Sequence, residues 1–135
     1  MIEDKTKADI LTLLKTCQIR ALCDNFFSDE FLWVIKGTSV LSGTYENKED
    51  FFNLGMARLN RALKGDWILH IINTFIDNDT MIVEMRGEVK TINDNDYNND
   101  YCWIFQFEDN KVVKLTAYYD SLLVNKTLAE AESAG

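Results

Sequence analysis

The sequence predicts an α+β fold in which helices pack on one face of a curved antiparallel sheet. Two observations carry that expectation. Apolar residues follow helical spacing, with one short strand between, as far as Gly65, and then switch to strict alternation. Proline is absent from all 135 residues, so turns must come from Gly, Asn and Asp, and those residues cluster between the alternating runs. A chain of this length is expected to form a single domain over 1–135, with its core in about 6–125.

The elements follow in order. Residues 6–27 place Ile10, Leu14, Cys17 and Ala21 at helical spacing, flanked by Leu11, Leu13 and Leu22, with Thr6 or Asp9 as the cap. FLWVIKG (31–37) reads as a short strand, and TSVLSGT (38–44) as a turn-rich connection. Asn47 with Asp50 three residues on marks a helix start, and Phe51, Phe52, Leu54, Leu59 and Leu63 run through that helix to Gly65. Strands are then predicted at 66–76, 80–91, 100–108 and 111–120, joined by DNDT (77–80), an Asn/Asp-rich stretch and EDNK (108–111). The tail LAEAESAG (128–135) loses its large apolar residues and is expected to fray.

Alternation sorts the faces. Tyr101, Trp103, Phe105 and Phe107 share one side of their strand; Val113, Leu115, Ala117 and Tyr119 share one side of the next. Met81, Val83, Met85, Gly87 and Val89 oppose Ile82, Glu84, Arg86 and Glu88. One sheet face is therefore aromatic and apolar, as where a sheet meets helices. The other mixes charge with apolar side chains, which suits a partly wet homodimer contact, with Glu84, Arg86 and Glu88 in cross-strand pairs. The inward direction of strand 66–76 stays open at this level.

Composition narrows the function. Twenty-two acidic against 14 basic residues give a net charge of −8, which repels phosphate backbones and anionic membranes. No apolar run approaches the ~18 residues of a membrane span, and the N-terminus MIEDKTKADI has no signal-like apolar stretch, so the expected compartment is the cytoplasm. Three cysteines, with no paired spacing and no histidine cluster, support neither a disulfide framework nor a zinc site. They are expected to be reduced and packed, Cys17 and Cys23 on opposite sides of one helix. The run NDNDYNND tempts a calcium reading through Asp94, Asp96, Asn98 and Asp100. Counted from Asp94, however, Asn99 stands where the loop wants Gly and Phe105 where it wants a bidentate Glu. A polar turn is the better reading, with Tyr97 and Tyr101 near a pocket rim.

Six short motifs together carry a resemblance: WVIKG (33–37) followed by LSGTY (41–45), then HIIN (70–73), YNNDY (97–101), FEDNK (107–111) and AYYD (117–120). In order and spacing, over about 29–125, the chain resembles the SnoaL-like branch of the nuclear transport factor 2-like superfamily. The resemblance implies a cone: a bent antiparallel sheet wrapped around helices, with a pocket at its wide end. Such folds host isomerases, cyclases, hydrolases, dehydratases and non-enzymatic binding modules, so the chemistry must be argued from residues. Family members usually have Gly where Asn110 stands, a position at which Asn tolerates the left-handed conformation.

Each chemistry implied by the resemblance can be set against this chain. Ketosteroid isomerisation wants a carboxylate base, a Tyr on the first helix and a protonated Asp. The matching positions fall near Val34 and Trp103, and the first tyrosine is Tyr45, so all three groups are missing. Epoxide hydrolysis wants two Asp around an Arg, where this chain has Met85–Gly87 and Ala117, with Arg86 facing away. Dehydratase-type elimination resembles the chain at His70 but relies on a second histidine, and His70 is the only one. Cyclases of the family use an Asp near the end of the last strand, for which Asp120 is the match; its blander role is to bond backbone N–H groups there. Trp33, Met85, Tyr101, Trp103, Phe105, Ala117 and Tyr119 are the expected ligand-binding wall, with Tyr45 at the rim. The expected function is therefore a small-molecule protein taking a hydrophobic or aromatic ligand, either a cofactor-independent isomerase, cyclase or lyase working through Asp120 or His70, or a non-catalytic binding or dimerisation module. Neither reading requires a metal or cofactor.

Overall fold

A computed structural model describes residues 2–133. The N-terminal apolar run forms two helices, α1 (Asp4–Lys15) and α2 (Ile19–Phe26), rather than the single expected one. The break is a Schellman-type stop: the Cys17 N–H donates to Leu14 O at 3.0 Å and the Gln18 N–H to Leu13 O at 2.8 Å. Cys17 takes the left-handed position with φ 54°, where glycine is usual, so nothing in its residue type announced the stop. The two cysteines accordingly sit on different elements. Neither Thr6 nor Asp9 caps α1, whose N-cap is Glu3; Thr6 is buried and its hydroxyl accepts from Asn110 Nδ2 at 2.7 Å.

Strand β1 (Phe27–Ile35) leads to the short β2 (Gly43–Tyr45). Asn47 then caps a helix as expected, its Oδ1 accepting from the Asp50 N–H at 2.8 Å. That helix is continuous through three parts: α3 (Lys48–Asp50), a π-helical segment (Phe51–Met56) and α4 (Ala57–Ala62). The wider i→i+5 turn rephases the apolar stripe. Phe51, Gly55, Leu59 and Ala62 point in, and Leu54, expected inside, is exposed.

Four long strands complete the sheet: β3 (Leu63–Asp77), β4 (Thr80–Thr91), β5 (Asp100–Glu108) and β6 (Lys111–Tyr119). Their order is β2-β1-β6-β5-β4-β3, a curved, unclosed sheet in which every neighbouring pair is antiparallel except β1 and β6, which run parallel. The turn at 108–111 has Asp109 at φ 50° and Asn110 at φ 64°, the left-handed pair that a two-residue hairpin turn demands. Two irregularities decide faces. Between Gln106 and Phe107 the β5–β6 register shifts, so Val112 is fully buried and Val113, expected inside, is only half-buried. Between Ile71 and Asn73 the β3–β4 register shifts too, and this settles the open question about β3. Trp67, Leu69 and Ile71 face inward, Ile68 and His70 outward, and beyond the shift Phe75 joins the outer face opposite Ile82.

The tail expected to fray from Leu128 is instead part of α5 (Ser121–Ser133); 134–135 lie outside the described residues. Val124, Leu128 and Ala131 recur at helical spacing and pack on Leu41, Leu59, Ala62 and Tyr97 in a second cluster beside the main core. Beyond Leu128 the stripe continues only through the small Ala131, which made the tail look polar in one dimension. Arg58 clamps the helix from outside with a two-pronged pair to Glu132, 2.7 and 2.9 Å. No described helix is long and apolar enough to cross a membrane.

The Asn/Asp stretch is a tight return. The Thr91 hydroxyl accepts from the N–H groups of Asn93 and Asn95, and the Tyr97 N–H donates to Val89 O at 2.8 Å. Asp94 pairs with Lys64 and Asp96 with Lys90. Tyr97, expected at a rim, is fully buried beneath α5.

Candidate functional site

Helices α1 and α2 cover one part of the concave sheet face, and the π-helical segment with α4 covers another. Between the latter and the sheet lies a cavity of about 40 Å³. The sheet supplies Trp33 and Ile35 from β1, Trp67 from β3, Tyr101 and Trp103 from β5, and Ala117 and Tyr119 from β6. The helical wall supplies Phe51, Gly55, Met56 and Leu59, and Leu41 closes the side. Register makes this convergence: Tyr101 pairs with Tyr119 and Trp103 with Ala117, while Trp33 and Ile35 pair with Leu115 and Ala117. Inward side chains from three adjacent strands thus meet at one place.

Of the expected wall, Trp33, Tyr101, Trp103, Ala117 and Tyr119 line the cavity. Met85 and Phe105 do not: both are buried in the main core, and Phe105 has no exposure at all. Tyr45 is half-buried, its hydroxyl donating to Leu41 O at 2.7 Å. The helical wall and Trp67 were missed by the sequence reading. Phe51 was legible as an inward helix residue, whereas Met56 depended on the π turn and Trp67 on the face of β3. Gly87 is a precondition for Trp67: a Cβ there would come within 2.7 Å of its Nε1.

The two expected acid/base groups lie elsewhere. His70 is half-exposed on the outer sheet face, its Nε2 3.4 Å from Glu88. Asp120 is exposed, and its Oδ1 accepts from the Leu123 N–H at 3.2 Å, the role of a helix N-cap. Its backbone is held by Asn99, whose Oδ1 accepts from the Asp120 N–H at 2.9 Å and whose Nδ2 donates to Asp120 O at 3.3 Å. The cavity lining contains no carboxylate, imidazole or amine.

The cavity surface is almost wholly apolar, but three of its residues carry donors buried just behind it. Three buried polar atoms make no well-formed hydrogen bond among the described residues: Trp67 Nε1 and Trp103 Nε1, which have no partner, and the Tyr101 hydroxyl, which meets only the Tyr97 hydroxyl and without good geometry. All three belong to residues of the cavity wall. Burial holds the Tyr101 hydroxyl well above the usual tyrosine range, with Tyr97 and Tyr119 adding to the effect, so at neutral pH it is a protonated donor. Burial likewise pushes Tyr119 to about 12, although the Ser39 hydroxyl 2.7 Å away acts in the opposite direction. An indole N–H has no acceptor function and cannot satisfy a second donor. A buried donor left unpaired costs about 1–3 kcal/mol, so the two indole N–H groups are a cost that the packing of this wall has to offset.

No protein-family model matches the chain, and no curated protein matches it. Solved structures do. An NTF2-like protein from Burkholderia thailandensis aligns with a TM-score of 0.76 at 16% identity, over 92% of this chain and 95% of that one. A protein assigned as a SnoaL-like polyketide cyclase, from Jannaschia sp. CCS1, aligns at 0.73 and 12% identity, over 93% and 92%. TerC, co-crystallised with polyporic acid, aligns at 0.73 and 15% identity, over 93% and 96%. Likeness over more than nine-tenths of both chains establishes the fold: this chain has the nuclear transport factor 2-like α+β cone, the fold in which SnoaL-like proteins are also built.

Proposed function

We propose that this chain is a small-molecule-binding protein whose ligand is flat, largely apolar and rich in hydrogen-bond acceptor oxygens, as in an aryl ketone. The observation that carries this reading is the pair of unpartnered indole donors, Trp67 Nε1 and Trp103 Nε1, beside the loosely held Tyr101 hydroxyl, on residues of an otherwise apolar aromatic wall. A carbonyl oxygen takes two such donors, and apolar ring faces fill the rest. The present cavity holds only about two or three waters, well below the roughly 300 Å³ of a ligand site, so binding requires the helical wall to move outward. The TerC complex with polyporic acid lends support, since it is a structure of the same fold crystallised with a small organic acid.

Binding without turnover is the reading we favour. Isomerisation, cyclisation or elimination through Asp120 or His70 would require those groups to reach the cavity, and both stand outside its lining. The same reading includes a cytoplasmic homodimer joined through the outer sheet face. There Phe75, Ile82, Ile104, Thr116 and Val34 form one unbroken cross-strand row, with polar rows on either side. An apolar stripe with a polar rim is the composition of a moderate protein interface.

Titration with fluorenone, a flat aryl ketone, tests the ligand reading. Saturable quenching of tryptophan fluorescence at micromolar concentration is expected. Quenching that rises linearly without saturation would overturn it.

A further inference from the structure

The inner cavity has a neighbour. An open cleft of about 550 Å³ lies between the α1–α2 turn, the π-helical segment with α4, and the start of β3. Two residues, Met56 and Trp67, line both spaces. Met56 is an unbranched side chain at the end of the π-helical segment and is only partly buried. Thioether side chains repack readily, and π-helical turns inside α-helices are frequent at functional sites. Met56 is thus the more adaptable of the two side chains shared by cavity and cleft. The cleft wall differs in chemistry from the cavity wall. It carries Arg20, whose guanidinium lies 4.1 Å over the Phe52 ring and 3.7 Å from the exposed Glu49 carboxylate. Asp66, also exposed, Asn60 and Thr16 complete the polar lining.

We infer that Met56 gates a two-part site whose ligand is an aromatic carboxylate. The ring system and its carbonyl pass Met56 to the donors of Trp67, Trp103 and Tyr101, and the carboxylate stays outside on Arg20. Stacking on Phe52 holds the guanidinium plane in place, and Glu49, at 3.7 Å, is a loose partner that a carboxylate can replace. In a chain of net charge −8, a fixed cation at the mouth is also what lets an anion approach at all. This inference rests on the reading of the cavity as a ligand site.

The test compares fluorenone with fluorenone-2-carboxylate on the full chain. The wild type is expected to bind the carboxylate about tenfold more tightly than the neutral ketone, and Arg20→Gln is expected to erase that difference while leaving fluorenone affinity unchanged. Met56→Trp, which fills the gate, is expected to weaken both by more than about tenfold at unchanged melting temperature. Arg20→Gln alters an exposed side chain and keeps the test readable if Met56→Trp fails to fold. Saturable fluorenone binding without a preference for the carboxylate, or with a preference that survives Arg20→Gln, overturns the two-part site and leaves the ligand reading standing. Absence of saturable binding by either compound overturns both.

Discussion

The indole of Trp33 and the ring of Phe51 lie with centroids 3.6 Å apart and planes within 13° of parallel. One ring belongs to β1 and the other begins the π-helical segment, so this stack fastens the helical wall of the cavity to the sheet. Trp103 meets the Trp33 face edge-on at 5.4 Å, which makes the stack part of a continuous aromatic floor. The same wall must yield when a ligand enters, and the stack sets how far from Met56 that movement can extend.

Phe51→Ala removes the stack and leaves a void beside the existing cavity. A loss of about 3–5 kcal/mol in unfolding free energy is expected, measured by urea denaturation. A loss under about 1 kcal/mol would mean that the π-helical segment is held by something other than this contact.

Tyr101→Phe separates a structural from a ligand-directed role. The Tyr101 hydroxyl meets that of Tyr97 without good geometry, so its deletion is expected to change the stability of the free protein by no more than about 1 kcal/mol. Fluorenone affinity is expected to fall about tenfold in the same variant. Marked destabilisation without a change in affinity would assign the hydroxyl to folding.

Asn99 is almost fully buried and ties the Asn/Asp return to the β6–α5 junction through both atoms of its amide. Asn99→Ala leaves the Asp120 N–H and the Tyr97 hydroxyl without this partner. A cost of about 2–3 kcal/mol is expected, with faster amide exchange in α5 as the accompanying sign. Asp120→Ala, which removes only the cap, is expected to cost about 1 kcal/mol.

Alkaline pH is expected to destabilise the chain through its buried tyrosines. Tyr119 has its folded pKa raised by burial to about 12, against an unfolded value near 10, so the folded state binds this proton more tightly. The associated stability is fully present below pH 10 and is lost between about 10 and 12. Tyr101 is shifted in the same direction and adds to the loss. Phenolate absorbance and circular dichroism followed together should show the Tyr119 and Tyr101 rings ionising with the cooperative transition. Ionisation of Tyr119 and Tyr101 without loss of fold would contradict their burial.

Ile82→Lys places a charge in the middle of the apolar outer row, opposite Phe75 and Ile104. Sedimentation is expected to show a dimer for the wild type and a monomer for this variant, with unfolding free energy changed by less than about 1 kcal/mol at the monomer level. A monomeric wild type would remove the dimer from the proposal.

Much of this architecture was determined locally. Alternation along 80–91 and 100–108 placed two strands at their observed bounds, because a half-buried strand writes its face into every second residue. Asn47, Asp109 and Asn110 announced their cap and turn because their own side chains and backbone preferences make those conformations. Five of the seven expected wall residues followed from the same alternation. The remainder was decided by packing. Cys17 ends α1 in a conformation its residue type disfavours, held there by the helices it joins, and two register shifts rephase β3 and β6 where the sheet bends. The π turn swings Leu54 out and brings Met56 to the cavity. Whether an acid/base group reaches a cavity, and whether three donors find partners, are properties of distances between remote segments. Those distances exist only once the sheet has curved around its helices, and they put His70 and Asp120 outside while gathering Trp67, Tyr101 and Trp103 within.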